Sequence, residues 1–232
     1  MRYPGGKGKC FQHIINFLPK HTVYIETHLG GGAVLLNKLP ANRSIGIDLD
    51  PEVIRWWRSH HPNLATYIVG DAVELLRNYR FTGEELVYCD PPYLPSTRKR
   101  GRVYRHDLSE QQHADLLDTL KRLPCHVALS GYASQLYKDA LQGWTKIQFR
   151  AKAHDSVRFE SLWTNYNTPD ELHDSRFLGD TFRRRQNVKR RLTRVQNRIA
   201  HLSTQEQYAI AAWLREHLNR PTGGNSCSLS PM

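Results

Sequence analysis

The chain has 232 residues, of which 39% are hydrophobic, and this predicts one sizeable domain with a buried core. Lys and Arg number 33 against 22 Asp and Glu, and the net charge of +11 favours nucleic acid as the partner. The sequence contains no apolar run as long as a membrane span, and its four cysteines are too dispersed for a disulfide framework or a zinc site. We therefore expect a cytoplasmic protein with no metal, no membrane association and no signal peptide.

Short apolar runs alternate with helix-like stretches over the first two-thirds of the chain. Asp50, Asp71 and the pair Ser109 and Gln112 mark helix starts, because their side chains can accept backbone N–H groups. This alternation predicts an α/β fold with a doubly wound, Rossmann-like sheet of about seven mostly parallel strands. The predicted strands are residues 23–26, 44–48, 66–69, 86–89 and 125–130, with further strands near 145–150 and 160–165.

Acidic residues fall at or just after the ends of four successive predicted strands, at Glu26, Asp48, Asp71 and Asp90. Ligands of doubly wound sheets bind at the carboxyl ends of the strands, near the point where the strand order reverses. We therefore expect these acids to converge on one rim and to form a binding site there.

A glycine-rich turn follows the first predicted strand, in the segment ETHLGGGA of residues 26–33. Asp48 lies where dinucleotide folds place a ribose-binding carboxylate, but the turn is not the phosphate-binding pattern G-x-G-x-x-G. A nucleoside without a pyrophosphate is therefore the better ligand, and an adenosine-bearing sulfonium fits. In the alternative interpretation, Asp48 and Asp71 only cap helices.

The tetrapeptide Asp90-Pro91-Pro92-Tyr93 closes the fourth predicted strand. Two prolines in a row hold a rigid, extended turn with free carbonyl groups. The Asp90 carboxylate and a neighbouring carbonyl can accept both hydrogens of an exocyclic amine, and Tyr93 offers a flat face to an unstacked base. The alternative is an ordinary Pro-Pro turn with a surface Asp and a packing Tyr.

The order of these motifs resembles the Dam-type (D12 class) DNA adenine-N6 methyltransferases, which use S-adenosylmethionine, and suggests a short, phage-like or prophage-like member. The resemblance spans about residues 1–166. Residues 2–7 (RYPGGK) look like the family's aromatic-x-G-G-K motif, residues 26–32 are similar to its E-P-F-x-G-x-G loop, and residues 90–93 match its catalytic motif. Thr27 and His28 stand where the family has Pro and Phe.

The resemblance implies roles residue by residue. It places Asp48 on the ribose hydroxyls of the cofactor and Asp71 at its adenine amine. The implied contacts of S-adenosylmethionine are Tyr3, Lys7, Glu26, Gly30, Gly32, Asp48, Asp71 and Asp90, and the implied catalytic residues are Asp90, Pro91, Pro92 and Tyr93.

The target-recognition insert usual in this family is missing, since only 19 positions separate Asp71 from Asp90. A basic loop follows the tetrapeptide and lies beside the predicted base pocket, where cations can neutralise the phosphates that flank a flipped nucleotide. We predict DNA contacts for Arg98, Lys99, Arg100, Arg102 and Arg105, the alternative being a solvated loop.

The chain changes character after about residue 170, where a helix around residues 182–202 combines an apolar stripe with eight Lys and Arg residues. This helix is a second DNA-binding candidate, although a basic amphipathic helix can also lie on a membrane surface. We expect its apolar stripe to pack on the sheet. The predicted organisation is a methyltransferase domain (1–170), a basic helical extension (171–220) and a disordered tail (221–232).

The predicted activity is transfer of a methyl group from S-adenosylmethionine to N6 of adenine at specific sites in double-stranded DNA. We expect a monomer without an obligate protein partner. The alternatives are an RNA adenine methyltransferase, a DNA cytosine-N4 methyltransferase, and a nucleic-acid-binding homologue that has lost activity.

Overall fold

The computed structural model describes residues 6–8, 10–97, 105–153 and 156–219, with only the backbone at 151–153 and 156–158. The predicted contacts Tyr3, Arg98, Lys99, Arg100 and Arg102 lie outside these residues, as does the predicted tail.

One sheet of seven strands organises the fold and confirms the predicted doubly wound architecture. Its strands are β1 (Val23–Thr27), β2 (Arg43–Asp48), β3 (Thr66–Val69), β4 (Glu85–Cys89), β5 (His126–Gly131), β6 (Thr145–Ala153) and β7 (Ser156–Thr164). Their order is β3-β2-β1-β4-β5-β7-β6, with β1 to β5 parallel and β7 antiparallel to both of its neighbours. The strand order reverses between β1 and β4, which predicts a ligand site at their carboxyl ends.

In the described part of the chain, eight α-helices precede, connect or follow the strands. They are α1 (Phe11–Ile15), α2 (Ala33–Asn37), α3 (Pro51–His60), α4 (Ala72–Asn78), α5 (Glu110–Lys121), α6 (Gln135–Ala140), α7 (Phe182–Ala200) and α8 (Thr204–Asn219). The predicted caps are confirmed: Asp50 and Asp71 accept backbone N–H groups at the starts of α3 and α4, and Ser109 forms a capping box with Gln112 at α5. The short helices α1 and α6 were not predicted, because five or six residues carry little periodicity.

Two hydrophobic layers cover the sheet, one on each face. Tyr24 of β1 packs in a cluster with residues of α1, α2 and α3, including Trp57. The next residue, Ile25, faces the opposite cluster, which contains Leu116 and Leu117 of α5. Successive side chains of a strand point to opposite faces, so the central strands are buried on both sides. The strand ends are therefore the part of the central sheet that can carry a site.

The described residues fall into two compact units, divided after Phe177. The segment just before this boundary belongs to the first unit, because the buried carboxylate of Asp174 accepts the Leu39 N–H at 3.0 Å. The second unit contains α7 and α8. We expected burial of the apolar stripe of α7, and this expectation was wrong: no residue of α7 is buried, and Leu192 and Val195 are 40% and 48% exposed.

No helix in the described ranges is long and apolar enough to cross a membrane.

A buried histidine makes the stability of the first unit dependent on pH. His21 is 6% exposed, its Nδ1 lies 2.8 Å from the Pro19 carbonyl oxygen, and its ring stacks on His173 at 3.8 Å. Burial, with a smaller repulsion from Lys38 and His173, lowers the pKa of His21 to about 3. Folding therefore requires this ring to be neutral.

The unfolding free energy should fall as the pH drops from about 6.5 towards 3, because the unfolded chain binds a proton at His21 that the folded chain excludes. One such group contributes a slope of up to about 1.4 kcal/mol per pH unit. His21→Asn should flatten the dependence, as measured by urea unfolding at pH 7 and pH 5. The same change at the exposed His60 is the matched control. Equal pH dependences in wild type and His21→Asn would contradict the assignment.

Candidate active site

An open cleft of about 790 Å³ lies at the carboxyl ends of the central strands. The structure brings all four predicted acids to this cleft, although they come from different strands. The cleft is lined by Glu26, Asp48, Asp71 and Asp90, by Lys7, Pro91 and Pro92, and by the backbone of residues 30–33.

The glycine turn between β1 and α2 is held from below by two neighbouring elements. The Gly30 N–H donates to the Asp48 carboxylate at 2.7 Å, and the indole Nε1 of Trp57 donates to the Gly30 carbonyl at 2.9 Å. Gly32 adopts a positive φ of 52°, and a Cβ added there would overlap the ring of Trp57. Residue 32 must therefore be glycine for this turn to form. The sequence did not reveal the support from Trp57.

Two of the cleft acids are tied to backbone groups. Asp48 accepts the N–H groups of Gly30 and Asp50, and burial raises its pKa. Glu26 accepts the Tyr24 hydroxyl at 2.8 Å and the Leu35 N–H at 3.0 Å, and burial raises its pKa to about 8. These contacts fix the position of each carboxylate at the edge of the cleft.

The rim beyond β3 carries Asp71, which lines the cleft and also accepts the Glu74 N–H at 2.9 Å. The helix-cap interpretation and the position beside the cleft therefore both hold for this residue.

Arg105 is the one predicted DNA contact in the described ranges, and its guanidinium lies 3.4 Å from the Asp50 carboxylate. His106 and Leu108 also line the cleft.

The residues of the cleft suit an adenosine-bearing sulfonium. Carboxylates accept hydrogen bonds from ribose hydroxyls and attract a positive sulfonium, and the turn at residues 30–32 carries no side chain that would block a nucleoside. The Cβ that Gly32 lacks would point into the ring of Trp57, so glycine at this position lets the turn pack directly on that ring. The chemistry of these groups therefore fits S-adenosylmethionine.

A buried ion cluster surrounds the carboxylate of Asp90. The Lys7 ammonium is 2.6 Å from Asp90 Oδ1, 2.9 Å from the Tyr93 hydroxyl and 3.3 Å from Glu160 Oε1. The Ser130 hydroxyl donates to the same Asp90 oxygen at 2.8 Å. Within the described part of the chain, the hydrogen bonds of Asp90 all end on Oδ1. The cluster thus anchors one carboxylate oxygen and leaves Oδ2 for a further donor.

Lys7 and Glu160 carry opposite charges inside this cluster. Burial lowers the pKa of Lys7, but its contacts with Asp90, the Tyr93 hydroxyl and Glu160 outweigh that effect and raise the pKa well above its usual range. Burial raises the pKa of Glu160, and the Lys7 ammonium partly opposes that shift. Lys7 is therefore a fixed positive charge beside Asp90 at neutral pH.

Sequence reasoning did not identify Glu160, Ser130 or Tyr132 as parts of the site. Glu160 lies 2% exposed on β7 and accepts the Tyr93 hydroxyl at 3.0 Å. An acid in a strand segment without any other charged residue, FESLWT, was the signal that could have found it. The ring of Tyr132 stacks on Tyr93 with a centroid distance of 4.1 Å, so the two rings form an aromatic wall beside Asp90.

Several solved structures resemble the fold of this chain. They include a precorrin 8w decarboxylase from Methanobacterium thermoautotrophicum (16% identity, 70% of this chain and 92% of that chain, TM-score 0.46). They also include TrmK from M. capricolum, solved with S-adenosyl-homocysteine (8% identity, 88% and 92%, TM-score 0.46). An rRNA methylase from Streptococcus thermophilus is a third example (12% identity, 71% and 97%, TM-score 0.45). Among curated proteins, no match was found.

The family comparison covers just over half of the chain. The D12 class N6 adenine-specific DNA methyltransferase family matches residues 49–167. The matched residues include Asp71, the tetrapeptide that begins at Asp90, Ser130 and Glu160. This chain therefore belongs to the D12 class of N6 adenine-specific DNA methyltransferases, which transfer a methyl group from S-adenosylmethionine to N6 of adenine in DNA.

Proposed function

We propose that the cluster around Asp90 is the catalytic centre, and that it acts on an adenine displaced from double-stranded DNA. The observation that carries this proposal is the anchoring of Asp90 Oδ1 by Lys7 and Ser130, at the edge of the glycine-turn cleft and beside the ring of Tyr93. Asp90 Oδ2 and the carbonyl of Pro91 accept the two hydrogens of N6. The amine lone pair then turns towards the cleft.

When bound, S-adenosylmethionine supplies an electrophilic methyl group. We assign binding of its ribose hydroxyls to Asp48 and binding of its adenine amine to Asp71. The backbone at Gly30 and Gly32 then lies under the bound nucleoside, and Glu26 supports the start of α2 through its contact with Leu35. The main role of Lys7 is to hold the Asp90 carboxylate in position, and not to contact the cofactor. The protein thus contributes positioning and charge placement, and the reaction requires no covalent enzyme intermediate.

The aromatic wall of Tyr93 and Tyr132 supports the choice of an unstacked base as substrate. Stacking on an aromatic side chain stabilises a displaced base by about 1–3 kcal/mol. Lys7 and Glu160 hold the hydroxyl of Tyr93 and fix the end of the side chain, and stacking on Tyr132 restricts the plane of its ring. We therefore propose that Tyr93 acts through its ring and that its hydroxyl only orients it.

We further propose a monomer that works in the cytoplasm without an obligate protein partner. The buried free thiols of Cys10, Cys89 and Cys125 support a reducing compartment.

Asp90→Asn should lower kcat by about 100-fold or more, because the amide replaces an acceptor of N6 with a donor. The measurement is transfer of a labelled methyl group from S-adenosylmethionine to duplex DNA, with mapping of the modified base. The exposed Asp118→Asn is the matched control and should retain wild-type turnover. A folded Asp90→Asn variant with near wild-type turnover would refute the role of Asp90, and modification of cytosine or RNA would refute the substrate.

Gly32→Ala should weaken binding of S-adenosylmethionine at least about tenfold, because the methyl group forces either Trp57 or the turn to move. Gly143→Ala is a matched control: its φ is also positive, at 84°, but no atom lies within 4 Å of the added Cβ. It should destabilise the fold by about 1 kcal/mol and leave cofactor affinity unchanged. Titration calorimetry measures the cofactor affinity of each variant, and scanning calorimetry measures its stability. Equal cofactor affinities of the two variants would show that the turn is not part of the site.

Tyr93→Phe should retain most of the activity, whereas Tyr93→Leu should raise KM for DNA roughly 5- to 150-fold through the loss of stacking. Steady-state kinetics at fixed S-adenosylmethionine distinguish the two effects. A larger loss in Tyr93→Phe than in Tyr93→Leu would mean that the hydroxyl, and not the ring, carries the function.

A further inference from the structure

The charge of the chain is concentrated in one helix of the second unit. Helix α7 carries eight Lys and Arg residues and no Asp or Glu. Residues 1–177 carry 23 Lys and Arg against 19 Asp and Glu, so most of the net charge of +11 lies beyond them. None of the residues of α7 is buried. The helix is therefore an exposed, strongly positive element that the catalytic centre does not use.

The cations of α7 are not spread evenly around the helix. At about 100° per residue, six of the eight lie on one arc of about 120°. We call them the cationic face: Arg183, Arg184, Arg190, Arg191, Arg194 and Arg198, all exposed. The apolar residues Val188, Leu192, Val195 and Ile199 form a separate, narrower stripe beside that arc.

The cationic face has the length of a DNA-binding element. From Arg183 to Arg198 the helix rises about 22 Å, at 1.5 Å per residue. This matches a row of several phosphates on a duplex, which carries one charge per about 1.7 Å of its axis. Arginine also binds phosphate oxygens with two parallel hydrogen bonds. Charge, length and side-chain chemistry thus all match a DNA backbone.

The catalytic unit supplies no inserted element for holding DNA between its third and fourth strands. After β3 ends at Val69, the connection to β4 at Glu85 contains only the seven-residue helix α4. The whole connection is described, so no recognition insert is concealed there. A DNA methyltransferase of this build needs phosphate contacts from another part of the chain.

We propose that the cationic face of α7 binds the phosphate backbone of duplex DNA and supplies sequence-independent affinity to the enzyme. This inference rests on DNA as the substrate of the family, but not on the assigned roles of Asp90 or Tyr93. Phosphate contacts carry no sequence information, so α7 holds the enzyme on DNA without choosing the target.

The test is the salt dependence of DNA binding by the full chain. Each phosphate contact adds about 0.9 to the slope of log K against log salt concentration. Replacing Arg190, Arg191 and Arg194 together by Gln should make the slope shallower by about 2.7. Between 50 and 200 mM salt, the wild type should then lose about 40-fold more affinity than the variant. Fluorescence anisotropy with a labelled duplex measures both, and Gln keeps the helix propensity close to that of Arg.

A charge-matched control removes three cations elsewhere. Arg43 begins β2, and Lys121 and Arg122 precede β5, so all three exposed residues lie at the amino ends of strands, away from the cleft. Their joint replacement by Gln should leave the slope unchanged. Equal slopes for the wild type and the α7 variant would overturn the proposal, and so would an equal change in the control.

Turnover and vesicle binding separate this proposal from its alternatives. At low salt and saturating DNA, the α7 variant should keep the wild-type kcat. A failure of the catalytic assignment would be seen only in the turnover of the Asp90→Asn variant. Vesicles containing phosphatidylserine test the membrane interpretation of a basic amphipathic helix. If the α7 variant loses vesicle binding but keeps the wild-type salt dependence on DNA, α7 is a membrane element and the proposal is wrong.

Discussion

The site depends on one buried positive charge. The Lys7 ammonium, only 4% exposed, lies between Asp90 and Glu160 and also contacts the Tyr93 hydroxyl. A buried ion is tolerated only where partners compensate for its lost hydration, and removing one partner of such a group typically costs about 3–5 kcal/mol. The lysine therefore constrains the carboxylate, the aromatic ring and the last strand to one arrangement. The same contacts of Lys7 therefore position the catalytic groups and stabilise the fold.

Local patterns predicted the fold well, since each strand and helix start is set by nearby residues. The run 66–69 and the caps at Asp50, Asp71 and Ser109 are determined by short-range sequence, and the structure has them where they were predicted. The expected burial of the α7 stripe failed, since periodicity shows only that one face of a helix is apolar, and not that a partner covers it.

The candidate site was predictable only in part. Acids at strand ends and the tetrapeptide at Asp90 follow from a rule about where parallel sheets bind ligands. Glu160 and Trp57 do not, because their roles depend on contacts across 67 and 27 positions of the chain. A tryptophan beneath a glycine turn looks like ordinary core in the sequence. Its function becomes visible only when Gly32 is found directly above its ring.

The position of Glu160 on β7 has a consequence for the synthesis of the enzyme. Lys7 leaves the ribosome well before its partner Glu160, which lies 153 positions further along the chain. Contacts of such high sequence separation form late. A nascent chain that ends before β7 carries a lysine without one of its compensating acids and a tyrosine without its anchor. The contacts around Asp90 can therefore be completed only after β7 has been synthesised.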